Sequence, residues 1–124
     1  MAYTSINDPS AQFQTALYTG SSSSVSPTFT GNANLQPDMM WIKSRSGATN
    51  NNIYDSSRGS TERLYPNLNS QVDTVSGMAF NSDGFTTGTN SVGDINVNGS
   101  TYVGWGWKAN GGTTASNSSG SITS

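Results

Sequence analysis

The sequence contains neither cysteine nor histidine, and this double absence excludes several kinds of site. Without cysteine, no disulfide can stabilise the fold, and nothing indicates the redox state of the compartment. Without histidine, a Ser-His-Asp or Cys-His nucleophilic centre cannot form, and a zinc site lacks its usual ligands. We therefore expect no such catalytic residues, no bound metal and no cofactor.

Charged residues are also scarce, since Lys, Arg, Asp and Glu together make up 10% of the 124 residues. Seven acidic residues outnumber five basic ones, and a net charge of −2 disfavours binding to nucleic acid, whose phosphates attract basic surfaces. Glu62 is the only glutamate, so the facing carboxylate pair of a glycoside hydrolase would need aspartates. Most aspartates lie beside turn-forming residues, where their usual role is to stabilise the turn. We expect a protein that is not an enzyme.

Long apolar runs are missing as well. No stretch approaches the length of a membrane span, and residues 1–6 lack a basic region followed by an apolar one. The sequence therefore predicts neither membrane insertion nor a secretory signal. If such a protein works outside a cell, we expect it to leave by lysis or on a particle.

Ser, Thr, Asn and Gly account for 65 of the 124 residues, a composition that is also found in disordered chains. Twelve aromatic residues spread along the chain and the low net charge favour a folded domain instead. Apolar residues alternate with polar ones between Gly, Asn and Asp turns, which is typical of β-strands. We predict an all-β domain over residues 1–109, an antiparallel β-sandwich with at most one short helix near residues 8–14. Residues 110–124 are rich in Gly, Ser, Thr and Asn and are predicted to be a tail or linker.

Several segments carry strand patterns of different strength. The clearest are 13–18, 39–43, 53–56 and 101–108. Two further strands, 74–81 and 84–89, are predicted around a turn at Ser82-Asp83-Gly84. Pro27 weakens the prediction of a strand over 25–30, because proline cannot donate a ladder hydrogen bond. Asn98-Gly99 is the strongest hairpin signal and predicts that 94–97 pairs with 101–108.

The segment from Tyr102 to Lys108 holds two of the three tryptophans. Read with a period of two, Val103, Trp105 and Trp107 share one face of a strand, and the intervening glycines share the other. Because the chain has few large apolar residues, we expect the tryptophans to lie in the core. On that expectation, either Trp→Ala change would cost about 3–5 kcal/mol. The glycine face would be thin enough for another surface to approach closely.

The run Asp94-Ile95-Asn96-Val97-Asn98-Gly99 matches the first half of a calcium-binding loop, with oxygen ligands at alternate positions and glycine sixth. The twelfth position should be a bidentate glutamate, but it is Trp105. The flanking residues are also strand-like and not helical. We therefore interpret the run as the tip of a hairpin, and calcium binding by loop oxygens elsewhere in the chain stays an open alternative.

Aromatic side chains can stack on sugar rings or fill the surface of a partner protein. Arg58, between Ser57 and Gly59, could face a partner or pair with a nearby aspartate, and the sequence leaves both roles open. The predicted contact residues for a glycan or a partner are Trp41, Tyr54, Arg58, Tyr65 and Tyr102.

Five groups of motifs occur in an order that covers nearly the whole chain. They are Asn7-Asp8-Pro9-Ser10 with 13–20, Leu35-Gln36-Pro37-Asp38 running into Trp41-Ile42-Lys43, Tyr54-Asp55-Ser56 with Arg58-Gly59, Phe80-Asn81-Ser82-Asp83-Gly84-Phe85, and 102–109. In this order they resemble a domain that recurs in virion proteins of marine tailed phages, of the cyanophage or pelagiphage type. The resemblance implies a lectin-like jelly-roll β-sandwich. Related chains continue past the equivalent of residues 120–123, so this chain is either a short version or the N-terminal part of a longer protein.

The resemblance also implies a location and a function. We expect a structural protein of the virion, on the tail or the capsid surface, that acts as a tail- or fibre-associated attachment or receptor-binding module. The alternatives are decoration of the capsid surface and, disfavoured by the missing carboxylate pair, a carbohydrate-active enzyme. Expected partners are other virion proteins, further copies of the chain with a trimer favoured, and a host surface glycan.

Overall fold

The structure is a computed structural model that describes residues 7–89 and 95–109, and every strand pair within them is antiparallel. The predicted tail at 110–124 lies outside the described residues. A 3₁₀ helix, Pro9–Ala11, precedes eight strands: β1 Phe13–Thr19, β2 Met39–Ser44, β3 Asn52–Asp55, β4 Gly59–Leu64, β5 Asp73–Thr74, β6 Ala79–Phe80, β7 Phe85–Thr86 and β8 Thr101–Trp107.

Six of these strands form one sheet in the order β1-β8-β2-β3-β4-β5, and β6 with β7 forms a second, smaller one. The last strand, β8, lies between β1 and β2 and pairs with both. Its ladder with β1 runs without a break from Phe13 opposite Trp107 to Thr19 opposite Thr101. These findings confirm the predicted fold class, an all-β antiparallel sandwich.

The helical turn that the structure describes lies inside the window predicted for it. Asp8 caps the turn, because its carboxylate accepts hydrogen bonds from the Ser10 backbone N–H at 2.9 Å and the Ser10 hydroxyl at 2.7 Å. Pro9 occupies the first turn of the helix, where its missing N–H costs nothing. The turn directs the chain into β1.

The core lies between the large sheet and the layer that covers one of its faces. Strands β1 and β8 alternate strictly between buried and more exposed residues, as a sheet with one covered face requires. The large sheet contributes Ala16, Tyr18, Met40, Ile42, Tyr54 and Tyr102, and the covering layer contributes Phe29, Leu35, Val75, Met78, Phe85 and Ile95.

The covering layer is built from the small hairpin and an extended segment beside it. The turn between β6 and β7 is where the sequence predicted it, and Gly84 adopts a φ of +101°. A Cβ on Gly84 would lie 2.2 Å from the carbonyl oxygen of Pro27, so only glycine fits. Segment 25–29 is not a regular strand, but its Val25 and Pro27 carbonyls accept hydrogen bonds from the N–H groups of Thr87 and Phe85.

Tyr18 links the two layers. Its ring stacks on Tyr102 at 5.1 Å and meets the edge of Phe85 at 5.7 Å. Its hydroxyl donates a hydrogen bond of 2.8 Å to the Ile95 carbonyl. Burial raises the pKa of this hydroxyl above its usual value, which favours the protonated form that donates this hydrogen bond.

The prediction of a hairpin at Asn98-Gly99 is right about the turn and wrong about the strands that it joins. A turn is present, with Gly99 at φ +78° and the Ser100 N–H bonded to the Val97 carbonyl. Residues 95–97 do not form a strand, and β8 pairs with β1 and β2 instead. The buried Asn96 side chain donates to the carbonyls of Ser23 and Gly88 and accepts from the Ser21 N–H. Asn96, which lies in the run that matches half of a calcium-binding loop, therefore holds the loops around Ser21 and Gly88 together.

Candidate functional site

The two faces of β8 are reversed relative to the prediction. Tyr102, Gly104 and Gly106 are buried, whereas Trp105 and Trp107 lie on the opposite, partly exposed face. The expectation that the tryptophans form the core is therefore wrong. The glycine face does admit another surface closely, as predicted, but that surface is the covering layer of the same domain.

Two phenylalanine rings of the covering layer explain the reversal. A Cβ on Gly104 would lie 2.9 Å from Phe85 Cζ, and one on Gly106 would lie 2.6 Å from Phe29 Cζ. The two glycines thus create the space into which these rings fit, and close packing of this kind leaves no room for an indole. The tryptophans are consequently placed on the outer face of the sheet.

On that outer face, the strand register brings large apolar residues from neighbouring strands together. One row runs across the sheet from Thr15 through Trp105 and Trp41 to Ile53, and the next row contains Phe13, Trp107 and Met39. Four side chains line a shallow depression of about 400 Å³, and we call them the outer aromatic surface: Phe13, Trp41, Trp105 and Trp107. All three tryptophans of the chain belong to it.

The four rings form a cupped surface. Phe13 and Trp107 have ring centroids 5.0 Å apart with planes tilted by 45°, and Trp41 meets Trp105 edge to face at 6.4 Å and 77°. The indole N–H of Trp41 donates to Asn51 Oδ1 at 3.1 Å, which fixes its orientation. Within residues 7–89 and 95–109, the indole N–H groups of Trp105 and Trp107 have no protein acceptor, so both can donate to a ligand.

No charged side chain lines the depression. The carboxylates elsewhere in the described residues hold local structure. Asp55 pairs with Arg58, Asp73 pairs with Arg63, and Glu62 accepts a hydrogen bond from the Thr74 hydroxyl. The carboxylate of Asp38 accepts the Ala109 N–H at 2.7 Å, and Asp83 accepts the Leu35 N–H at 3.2 Å. The depression itself is therefore lined almost entirely by apolar surface and contains no acid–base group.

The structure separates the five predicted contact residues. Trp41 is part of the outer aromatic surface. Tyr54 and Tyr102 are 0% exposed, which corrects their proposed role, since a buried ring cannot stack on an external glycan. The Arg63 guanidinium lies over the Tyr65 ring at 4.5 Å, and Arg58 forms an ion pair with Asp55 in the turn after β3. Neither Arg58 nor Tyr65 lines the depression.

The prediction did not include Phe13, Trp105 and Trp107 among the contact residues. Phe13 is 40% exposed, and Leu17 on the same face of β1 is 65% exposed. Alternation divides β1 into one face with Phe13 and Leu17 and another with Gln14, Ala16 and Tyr18, but it does not indicate which face is buried. The structure buries the face of Gln14, Ala16 and Tyr18.

In the part of the chain that the structure describes, the acidic side chains form no group of three or more that could hold a metal ion. None of the helical segments in that part of the chain has the length and apolar character needed to cross a membrane.

Comparison with known proteins places the chain in a family. A family model described as a domain of unknown function, DUF7483, matches residues 8–124. The chain belongs to the DUF7483 family. The match begins at Asp8, the cap of the 3₁₀ helix, so this DUF7483 domain includes every strand of the outer aromatic surface. No curated protein and no solved structure matches the chain.

Proposed function

We propose that this DUF7483 domain is a structural protein of a phage virion, and that it acts as a tail- or fibre-associated attachment module. The outer aromatic surface is its contact with the receptor. The proposal is supported by the order of motifs that resembles phage virion proteins. The observation that carries it is the cluster of four partly exposed aromatic rings around one depression, on a face that no described element covers.

The chemistry of this surface favours a glycan of the host surface as the receptor. The C–H groups of a sugar ring form an apolar face that stacks on aromatic rings, and the sugar hydroxyls accept hydrogen bonds. Four rings line the depression and supply the apolar complement, and the indole N–H groups of two lining residues, Trp105 and Trp107, have no acceptor among the described residues. The absence of charged lining favours a neutral sugar over an acidic one.

A second candidate function, decoration of the capsid surface, is favoured by a different observation. The apolar character of the outer face continues past the tryptophans to Leu17 and Val103 on the two strands nearest the sheet edge. Leu17 is 65% exposed. Extended apolar patches of this kind commonly mark protein–protein interfaces. In that case, the outer face would dock on a capsid protein.

Binding of the purified domain to host cells and to their extracted surface polysaccharide tests the first candidate. We expect Trp105→Ala to weaken binding at least about tenfold, because truncating a central contact residue typically costs more than 1 kcal/mol. Leu68→Ala is the matched control, since Leu68 is 47% exposed but lies outside the depression. This control should bind like the unchanged protein.

The outcomes separate the two candidates. Equal binding by both variants, with both folded, would contradict the glycan site. Capsid decoration would be favoured instead if the purified domain binds phage particles that lack it, if Trp105→Ala loses this binding, and if no version of the domain binds the polysaccharide. Circular dichroism spectra of the variants establish that a loss of binding is not a loss of fold.

A further inference from the structure

Strand β1 forms an edge of the large sheet, and its free side is unusually regular. The strand is seven residues long and pairs with β8 at every position without a bulge. At the opposite edge, β5 contains two residues, and its Asp73 is held by the buried Arg63. The two edges therefore differ in length and in charge.

The register shows which backbone groups of β1 face outwards. Two hydrogen bonds of 2.8 Å bracket the ladder, from the Lys108 N–H to the Gln12 carbonyl and from the Gly20 N–H to the Ser100 carbonyl. In an antiparallel pair, residues alternate between bonding to the neighbour and facing away from it. The even-numbered residues of β1 thus bond to β8, and the odd-numbered residues direct their N–H and C=O groups away from it. In the described part of the chain, no backbone group hydrogen-bonds to this outer side.

Natural proteins protect such edges, because unpaired N–H and C=O groups invite another strand. The usual protections are charged side chains, proline, bulges and short strands. Strand β1 has none of these four. Instead, its outer face carries Phe13 and Leu17, which are 40% and 65% exposed.

We propose that β1 pairs antiparallel with β1 of a second copy of this chain, about a two-fold axis at Ala16. The four outward-facing residues are symmetric about Ala16: Phe13 meets Thr19 of the second copy, and Thr15 meets its Leu17. Every outward N–H and C=O of the strand then gains a partner, as a two-fold interface between identical surfaces requires. The small side chain of Ala16 lies at the axis, where the two copies approach most closely.

The pairing goes beyond the proposed attachment function and does not depend on the nature of the receptor. It joins two six-stranded sheets into one continuous sheet. Residues opposite each other in an antiparallel pair share a face, so both outer aromatic surfaces lie on the same side of that sheet. The pair presents two binding surfaces in one direction, which increases avidity for a repeating ligand. This edge favours a dimer over the trimer expected from the sequence.

Charge substitutions at the edge test the pairing by sedimentation equilibrium. Thr15 and Leu17 face solvent on the outer face, so charged side chains there are compatible with the fold. We expect the unchanged protein to sediment at twice the mass of the 13.0 kDa chain. The variant T15K/L17K and the variant T15E/L17E should each sediment as monomers, because like charges oppose each other across the axis. An equimolar mixture of the two should recover the dimer.

A cysteine cross-link tests the register. The chain has no cysteine, so Ala16→Cys introduces a single thiol. Two such residues would form a non-hydrogen-bonded pair with Cα atoms about 4.5 Å apart, within the range of a disulfide. Oxidation should give a covalent dimer, whereas Thr74→Cys on β5 at the opposite edge should dimerise without forming a covalent cross-link. A monomeric or trimeric unchanged protein, a dimer insensitive to both charge variants, or cross-linking through Thr74→Cys alone would overturn the proposal.

Discussion

Replacing Phe85 with alanine is expected to lower the free energy of unfolding by about 3–5 kcal/mol, the usual cost of truncating a buried aromatic side chain. Phe85 is 0% exposed, lies 5.7 Å from Tyr18 and 6.3 Å from Phe29, and fills the space above Gly104. Its removal leaves a cavity between the two layers, where neighbours on both sides are fixed by their strands. A loss of this size is a large part of the total stability of a small domain, about 5–15 kcal/mol.

Urea denaturation followed by circular dichroism measures this effect, and Phe13→Ala provides the matched control. The same truncation at Phe13 removes a side chain that is 40% exposed on the outer face. We expect the control to cost about 1 kcal/mol, as is typical of changes outside a core. Equal losses for the two variants would mean that the outer face is as deeply buried as the inner one.

Gly106→Val is expected to destabilise the protein by about 1–3 kcal/mol or more, because it overfills a closely packed core. A Cβ at this position would already lie 2.6 Å from Phe29 Cζ and 3.0 Å from Met40 Sδ, and valine adds two further carbon atoms. The ring of Phe29 would have to move out of the space that the glycine provides. Thermal unfolding of the variant measures the cost.

Two comparisons make the Gly106 prediction specific. Gly47→Val should change stability by less than about 0.5 kcal/mol, since the nearest atom to a Cβ there is Ser44 Oγ at 3.8 Å in an exposed loop. Replacing the opposing ring with a smaller side chain, Phe29→Leu, should recover part of the stability that Gly106→Val loses. The effects of substitutions at two residues in contact are not independent. An unchanged melting temperature for Gly106→Val would show that Phe29 does not occupy this space.

The positions of the strands could be predicted from the sequence because their signals are local. Alternating apolar residues located β1, β2 and β8, and Ser82-Asp83-Gly84 located the turn of the small hairpin. The partners of each strand could not be predicted in the same way. Asn98-Gly99 does form a turn, but β8 pairs with β1, which lies more than eighty residues earlier in the chain. A turn motif carries no information about such a distant partner.

The alternation of residues in the sequence also could not predict which face of each strand is buried. Alternation divides β8 into two faces, but a tryptophan face and a glycine face can each serve as core, depending on what covers them. Here Phe29 and Phe85 come from distant segments and fill the glycine face. The same alternation explains why the structure separates two of the predicted contact residues. Tyr54 lies opposite the buried Met40 on the inner face, whereas Trp41, the residue after Met40, lies on the outer face.

All three tryptophans lie on an open outer face, and this claim can be tested by fluorine NMR of protein labelled with 5-fluorotryptophan. Trp41, Trp105 and Trp107 should give three resonances, each assigned by its own Trp→Phe variant. A soluble nitroxide broadens the signals of nuclei that it can approach. We predict that it broadens all three resonances of the folded protein. Resonances of Trp105 and Trp107 that stay sharp while that of Trp41 broadens would place the two tryptophans in the core and contradict the claim.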